Sequence, residues 1–117
     1  MSIAWEHKRT DETRSIEQLL RQHFPGSPAE FPPTAYRYNS ASIRVRLVNP
    51  AFQGKSRIER EDLVYPLLRT LPENTQDDIM ILLLLTPEEV SNTLMSFEFD
   101  HPQPSRLDAL PPVGAAT

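Results

Sequence analysis

The chain has 117 residues, of which 38% are hydrophobic, so it can form one compact domain with one modest core. It contains no cysteine, which excludes disulfides, thiolate chemistry and cysteine-ligated zinc. The net charge of −4 conceals a basic stretch: residues 36–60 hold six basic residues and one acidic residue, a net charge of +5 against −9 in the remainder. This polarity suggests an acidic partner, although solvated strand and helix faces give the same pattern.

The sequence has no segment typical of membrane insertion or secretion. The longest apolar run, Ile79 to Leu85, is the length of a strand and well short of the roughly 20 residues that cross a bilayer. Met1 to Thr13 mixes charges of both signs without an apolar core, which differs from a secretory signal. We therefore expect a cytoplasmic protein without membrane contact.

The first predicted helix begins at a capping motif. Ser15-Ile16-Glu17-Gln18 has the form of a capping box, which places the helix start there and a flexible segment over residues 1–13. Apolar residues then recur at helical spacing until Pro25 and Gly26 end the helix; they are Ile16, Leu19, Leu20 and Phe24.

Two strands follow, predicted at Ala35 to Tyr38 and Ser42 to Val48, with Asn39 to Ala41 as a hairpin loop. The second strand alternates at period two. Its buried face is predicted to hold Ile43, Val45 and Leu47, and its other face Arg44, Arg46 and Val48. One face of the predicted hairpin is therefore largely basic.

The main helix is predicted to begin at the capping box Ser56 to Glu59, and Pro66 inside it predicts a kink or a break. A short helix to about Asp78 comes next. Because the run Ile79 to Leu85 is continuously apolar, we predict that it is the central strand, buried on both faces.

The last helix has the strongest start signal in the chain. Thr86-Pro87-Glu88-Glu89 combines a capping residue, proline at the first helical position and acids at the positive end of the helix dipole. Val90, Leu94 and Phe97 are predicted to form its inner stripe. The proline-rich remainder, residues 100–117, is predicted to be a disordered tail.

These elements predict an α+β fold of order αββααβα over residues 14–99, with a small three-stranded mixed sheet and helices packed on one face. The segment after the second strand resembles the signature of BolA-like proteins, which runs roughly F-x-G-K-S, then R-H-R, then a V-Y pair. The matching residues are Phe52, Gly54, Lys55, Ser56, Arg60, Val64 and Tyr65. The element order is also similar to that family, whose fold looks like the class II K-homology arrangement. The likeness covers about residues 15–97.

The chain departs from the family at the residues that bind metal. BolA-like proteins that share an iron-sulfur cluster with a monothiol glutaredoxin use the histidine of R-H-R, and that position is Glu61 here. Their second ligand comes from the loop between the first two strands, which here reads Tyr38 to Ser42 and holds neither cysteine nor histidine. His7, His23 and His101 have no metal-ligand spacing. We therefore expect no metal and no cofactor.

Six basic residues are candidates for binding a partner or an anion: Arg37, Arg44, Arg46, Lys55, Arg57 and Arg60. The last three lie at or near a helix N-terminus, where backbone N–H groups favour anions, but a charged first turn is also an ordinary feature of helices. The first three lie on the basic strand face beside Tyr36 and Tyr38, a mixture that can stack bases or pack as ordinary sheet.

Catalysis is not expected, because neighbouring acids on a helix do not face each other and Ser56 is explained as a helix cap. We therefore expect a non-catalytic protein-binding or regulatory domain, monomeric or weakly dimeric, with an unidentified protein partner. The alternative is a nucleic-acid-binding module that uses the basic strand face. That module would lack the GxxG loop of K-homology domains, since the only glycines are Gly26, Gly54 and Gly114.

Overall fold

The computed structural model describes residues 8–104 and confirms the predicted fold class and element order. The elements are α1 (Asp11–His23), β1 (Thr34–Asn39), β2 (Ser42–Val48), α2 (Arg57–Leu68), α3 (Glu73–Asp78), β3 (Ile79–Leu85) and α4 (Leu94–Asp100). Two 3-10 helices, Pro50–Phe52 and Pro87–Asn92, follow β2 and β3. The parts of the predicted terminal segments at residues 1–7 and 105–117, including His7, lie outside the described residues.

The sheet has the order β1-β2-β3, so β2 is the central strand and β3 lies at an edge. β1 pairs antiparallel with β2, and β3 pairs parallel with β2 in a register that sets Leu82 beside Val45. The prediction that Ile79 to Leu85 is the central strand, buried on both faces, was therefore wrong: β3 lies at an edge, and only Leu84 of its seven residues is buried. An apolar run indicates burial above and below a strand, but it does not indicate whether neighbouring strands pair along one or both of its edges.

The main core lies between the sheet and helices α1 and α2. The alternation predicted for β2 directs Ile43, Val45 and Leu47 toward these helices, where each is fully buried. The helices contribute four buried residues, Ile16 and Leu20 from α1 and Val64 and Leu68 from α2. Phe52, from the 3-10 helix after β2, closes the end of this core.

Helix α1 begins five residues before its predicted start, because its N-cap is Thr10 and not Ser15. Thr10 is the N-cap, and its hydroxyl accepts from the amide of Thr13 in a capping box that precedes the one predicted at Ser15. Ser15 lies inside the helix and donates to the carbonyl of Asp11. Two overlapping capping motifs compete here, and the earlier one adds a helical turn with acids at its positive end. Residues 11–13 thus belong to the helix and not to the preceding segment.

Helix α2 begins as predicted, with the Ser56 hydroxyl accepting from the Glu59 amide and the Glu59 carboxylate accepting from the Ser56 amide. It continues through Pro66 to Leu68, so a break at the proline is absent. Pro66 is exposed and close to the helix end, where few backbone hydrogen bonds remain to be lost.

The segment after β3 contains two helices in place of the single one predicted. The Thr86–Glu89 capping box starts a 3-10 helix and Thr93 is extended. Helix α4 then lies on the sheet face opposite α1 and α2, where it contacts Arg44 and Arg46, so the prediction that the helices pack on one face was wrong for α4. The break at Thr93 rotates the helix, so Leu94 and Phe97 are 88% and 65% exposed while Ser96 and Phe99 face inward. The predicted inner stripe of Leu94 and Phe97 was therefore wrong.

Tyr36 connects α4 to the sheet. Its hydroxyl donates to the carbonyl oxygen of Phe99 at 2.7 Å, and the two rings meet edge to face with centroids 4.9 Å apart. Burial disfavours the phenolate and raises the pKa of Tyr36 to about 12 from 10.0. The neutral hydroxyl is therefore part of the packing.

We expect alkali to unfold the domain partly through Tyr36. Because its folded pKa of about 12 exceeds the unfolded value of 10.0, this contribution to stability is complete below pH 10.0 and is lost as the pH rises toward 12. Tyrosinate absorbance should show one of the three tyrosines ionising late. Tyr36→Phe should remove that late step and Tyr38→Phe should leave it, whereas a late step that persists in Tyr36→Phe would contradict the assignment.

Candidate partner-binding edge of the sheet

The outer edge of β3 is open over its regular part. The carbonyl of Leu85 accepts from the amide of Asn49, so Leu85 directs its backbone toward β2. In a parallel strand both backbone groups of a residue point to one side and alternate along the chain, so Leu84 and Leu82 direct theirs outward. Within residues 8–104, a side chain reaches the Leu84 carbonyl, but nothing bonds the amide or carbonyl of Leu82 along this edge.

A groove of about 710 Å³ runs along this edge; we call it the β3 groove. Its floor is formed by residues 80–85. One side consists of the start of α2 and the residue before its cap, and the other of the second 3-10 helix and the start of α4; these sides contribute Lys55, Arg57, Arg60, Glu61, Glu89, Asn92, Thr93 and Met95. Met80, at an irregularity in the β2–β3 register, is 64% exposed.

Arg60 joins the two sides of the β3 groove at the C-terminal end of β3. Its guanidinium donates to the carbonyl of Leu84 at 2.9 Å and to both carboxylate oxygens of Glu89, at 2.6 and 3.2 Å. The capping box at Thr86 positions Glu89 for this contact. The hydrogen bond from Arg60 holds the pKa of the Glu89 carboxyl below its usual range. Arg60, predicted to bind a partner or an anion, is thus engaged within the domain.

The arginines of β2 are covered by α4. Arg44 pairs with Glu98, and its guanidinium lies 3.6 Å from the ring centroid of Tyr38. Arg46 donates to Asp100 at 2.9 Å and to Ser96 at 3.1 Å. The strand face predicted to be basic does hold these arginines, but acids from α4 neutralise both, and only 4% of the Arg46 side chain is exposed.

Arg37 is also paired within the domain. Its guanidinium bonds Glu12 of α1 at 2.7 Å and Asp78 of α3 at 2.9 Å. The pKa of the Glu12 carboxyl is lowered mainly by this hydrogen bond to Arg37. The two remaining predicted residues, Lys55 and Arg57, are exposed beside the β3 groove, and Arg57 contacts Glu61 at 3.2 Å. The six predicted residues therefore do not form one surface.

The residues at the positions that bind metal in BolA-like proteins make other contacts here. Glu61 accepts from Arg57, and the Asn39 side chain accepts from the amide of Ala41 in the hairpin loop. His101 stacks on Phe97, with ring centroids 4.6 Å apart. Within residues 8–104, no group of three or more histidine or acidic side chains could hold a metal ion.

Two functional features were missed from the sequence. The open edge of β3 follows from the strand order, which local patterns do not specify. Glu17 was placed in the first helix without a role, but its carboxylate is buried, accepts from the amide of Ala35 at 2.9 Å and pairs with Arg9. The sequence did offer one signal, an acid next to the apolar positions of the helix. A carboxylate buried there needs a hydrogen-bonding or ionic partner, so Glu17 could have been predicted to bind another segment.

No family model, curated protein or solved structure matches this chain. The likeness to BolA-like proteins therefore rests on the residues quoted above and on the element order. In the described part of the chain, no helix is both long and apolar enough to cross a membrane.

Proposed function

We propose that this chain is a non-catalytic protein-binding domain with a BolA-like frame, without iron-sulfur ligation, that receives its partner along the open edge of β3. The observation that carries the proposal is the β3 groove, where the unpaired backbone of Leu82 lies beside exposed apolar side chains. An extended segment of a partner can add to such an edge as a further strand, gaining main-chain hydrogen bonds and apolar burial together.

The arrangement of acids supports a role without catalysis. One acid of each of the adjacent pairs Glu61-Asp62, Asp77-Asp78 and Glu88-Glu89 has an arginine partner. Glu61 pairs with Arg57, Asp78 with Arg37, and Glu89 with Arg60. Glu89 has a lowered pKa, opposite to the raised value that a general acid needs near neutral pH. These acids are therefore accounted for by contacts that hold the elements together.

The alternative, nucleic-acid binding by the basic strand face, receives less support from the geometry. Phosphate groups would have to displace Glu98 and Asp100 from Arg44 and Arg46, and Phe99 covers Tyr36. A protein strand at β3 requires no such displacement.

The proposal is tested by a charge placed on the edge. Met80→Lys keeps an exposed position exposed but adds a cation to the strand edge, a change that discourages strand addition. We expect affinity capture from native-cell extract, followed by mass spectrometry, to recover at least about tenfold less partner with Met80→Lys than with wild type. An amine-reactive cross-linker should join the wild-type partner to Lys55, which is one of two lysines in the chain.

Leu63→Lys is the matched control, because Leu63 is a half-exposed apolar residue of α2 that does not line the β3 groove. It should leave capture unchanged. Equal capture by Met80→Lys and wild type would contradict the proposal. Capture of nucleic acid that weakens steeply with salt would favour the alternative instead.

A further inference from the structure

Two exposed charges of opposite sign, Lys55 and Asp77, lie at the two ends of the β3 edge. At the C-terminal end, Arg60 donates both to the carbonyl of Lys55 and to that of Leu84, which holds Lys55 beside the strand. At the N-terminal end, Asp77 is exposed in the last turn of α3, two residues before β3 begins. Within residues 8–104 neither side chain has an ion pair within 4 Å, although the exposed acids Glu59 and Glu88 lie at the same end as Lys55. The strand between Lys55 and Asp77 is uncharged.

We infer that the strand added at this edge is β3 of a second copy of the chain, paired antiparallel about a two-fold axis beside Leu82. The inference rests on the proposed function, because it names the occupant of the same β3 groove. The two three-stranded sheets would then join into one sheet of six strands.

Leu82 is the position that suits the axis. Its outward amide and carbonyl can exchange two hydrogen bonds with the same groups of the partner's Leu82, as in the hydrogen-bonded pairs of antiparallel sheets. Leu84 is less suitable, since its carbonyl already accepts from Arg60. In this register Leu84 lies opposite the partner's Met80, so the exposed methionine gains an apolar neighbour.

The uncharged edge with Lys55 at one end and Asp77 at the other favours a second copy as the occupant. A two-fold axis requires a self-complementary surface, in which each end of the strand meets the opposite end of its copy. Antiparallel pairing brings Lys55 toward the partner's Asp77 and the partner's Lys55 toward Asp77, giving two equivalent ion pairs. The uncharged β3 between them meets a strand that is also uncharged. An edge strand of seven apolar residues without proline or charge also lacks the usual protection against such pairing.

The test is sedimentation equilibrium of the full chain over a range of concentrations. Wild type should show a monomer–dimer equilibrium. Lys55→Glu and Asp77→Lys should each weaken the dimer about tenfold, because each disrupts two exposed ion pairs. The double variant Lys55→Glu/Asp77→Lys should restore dimerisation, since both pairs re-form with reversed polarity. Circular dichroism should be unchanged in all three variants, because both residues are exposed.

Met80→Lys should also weaken the dimer about tenfold or more, since it sets a second cation near the partner's Lys55, whereas Leu63→Lys should not. A strictly monomeric wild type, or a double variant as weak as the single ones, would overturn the inference. If wild type is monomeric and Met80→Lys loses the capture of a different protein, the occupant of the β3 groove is not a second copy. The proposed function would still stand. A dimer unaffected by Met80→Lys would place self-association at another surface and overturn the inference.

Discussion

Leu47→Ala should lower the free energy of unfolding by about 3 kcal/mol, the largest effect we expect from one substitution. Leu47 lies on the central strand, is fully buried and packs in the core between the sheet and helices α1 and α2. Removing its side chain costs the transfer free energy of the lost atoms and leaves a cavity that neighbours from three elements cannot readily fill. Urea denaturation should show a lower midpoint with an unchanged slope.

Leu63→Ala is the matched control for this prediction. Leu63 is 47% exposed on α2, so the same chemical change should cost less than about 1 kcal/mol. Equal losses in the two variants would show that β2 is not the centre of the core.

Asp100→Ala should lower the free energy of unfolding by about 2 kcal/mol, because it leaves the buried guanidinium of Arg46 without its carboxylate. Ser96 would remain as its hydrogen-bonding partner, with the ring of Phe99 beneath it at 4.6 Å. The Nε of Arg46 is already buried without a hydrogen bond within residues 8–104, so little compensation is available. Chemical denaturation measures the loss.

The double variant Arg46→Met/Asp100→Ala should recover most of that stability, because it leaves no unpaired charge and Met can pack against the ring of Phe99. Asp62→Ala, at an exposed position of α2, is the control and should change stability by less than about 0.5 kcal/mol. Equal effects of Asp100→Ala and Asp62→Ala would contradict the role assigned to the Arg46–Asp100 pair.

Much of the fold could be predicted from the sequence because its signals are local. The capping box at Ser56 marked the start of α2, and alternation in Ser42–Val48 marked both faces of β2. The start of α1 was misplaced because two capping motifs overlap at Thr10 and Ser15, and the choice between them depends on packing. The orientation of α4 was misjudged because the extended backbone of Thr93 interrupts the helical period.

The candidate site was less predictable, since it depends on contacts between distant segments. Arg44 and its partner Glu98 are separated by 54 residues, so local charge counting indicated an open basic face where the fold forms ion pairs. The place of β3 at the edge likewise depends on the crossover through α2 and α3. The sequence shows which charged residues are present, but predicting that they are paired requires knowledge of the topology.

The unusual orientation of α4, with acids toward the sheet and Leu94 and Phe97 toward solvent, means that the two faces of the sheet are held by different forces. The apolar face against α1 and α2 weakens on cooling and strengthens in sulfate or phosphate. The face under α4 combines the packing of Phe99 on Tyr36 with two ion pairs whose arginines are buried, and salt screens such pairs much less than exposed ones. Cooling and added sulfate should therefore act more on the face against α1 and α2 than on the face under α4.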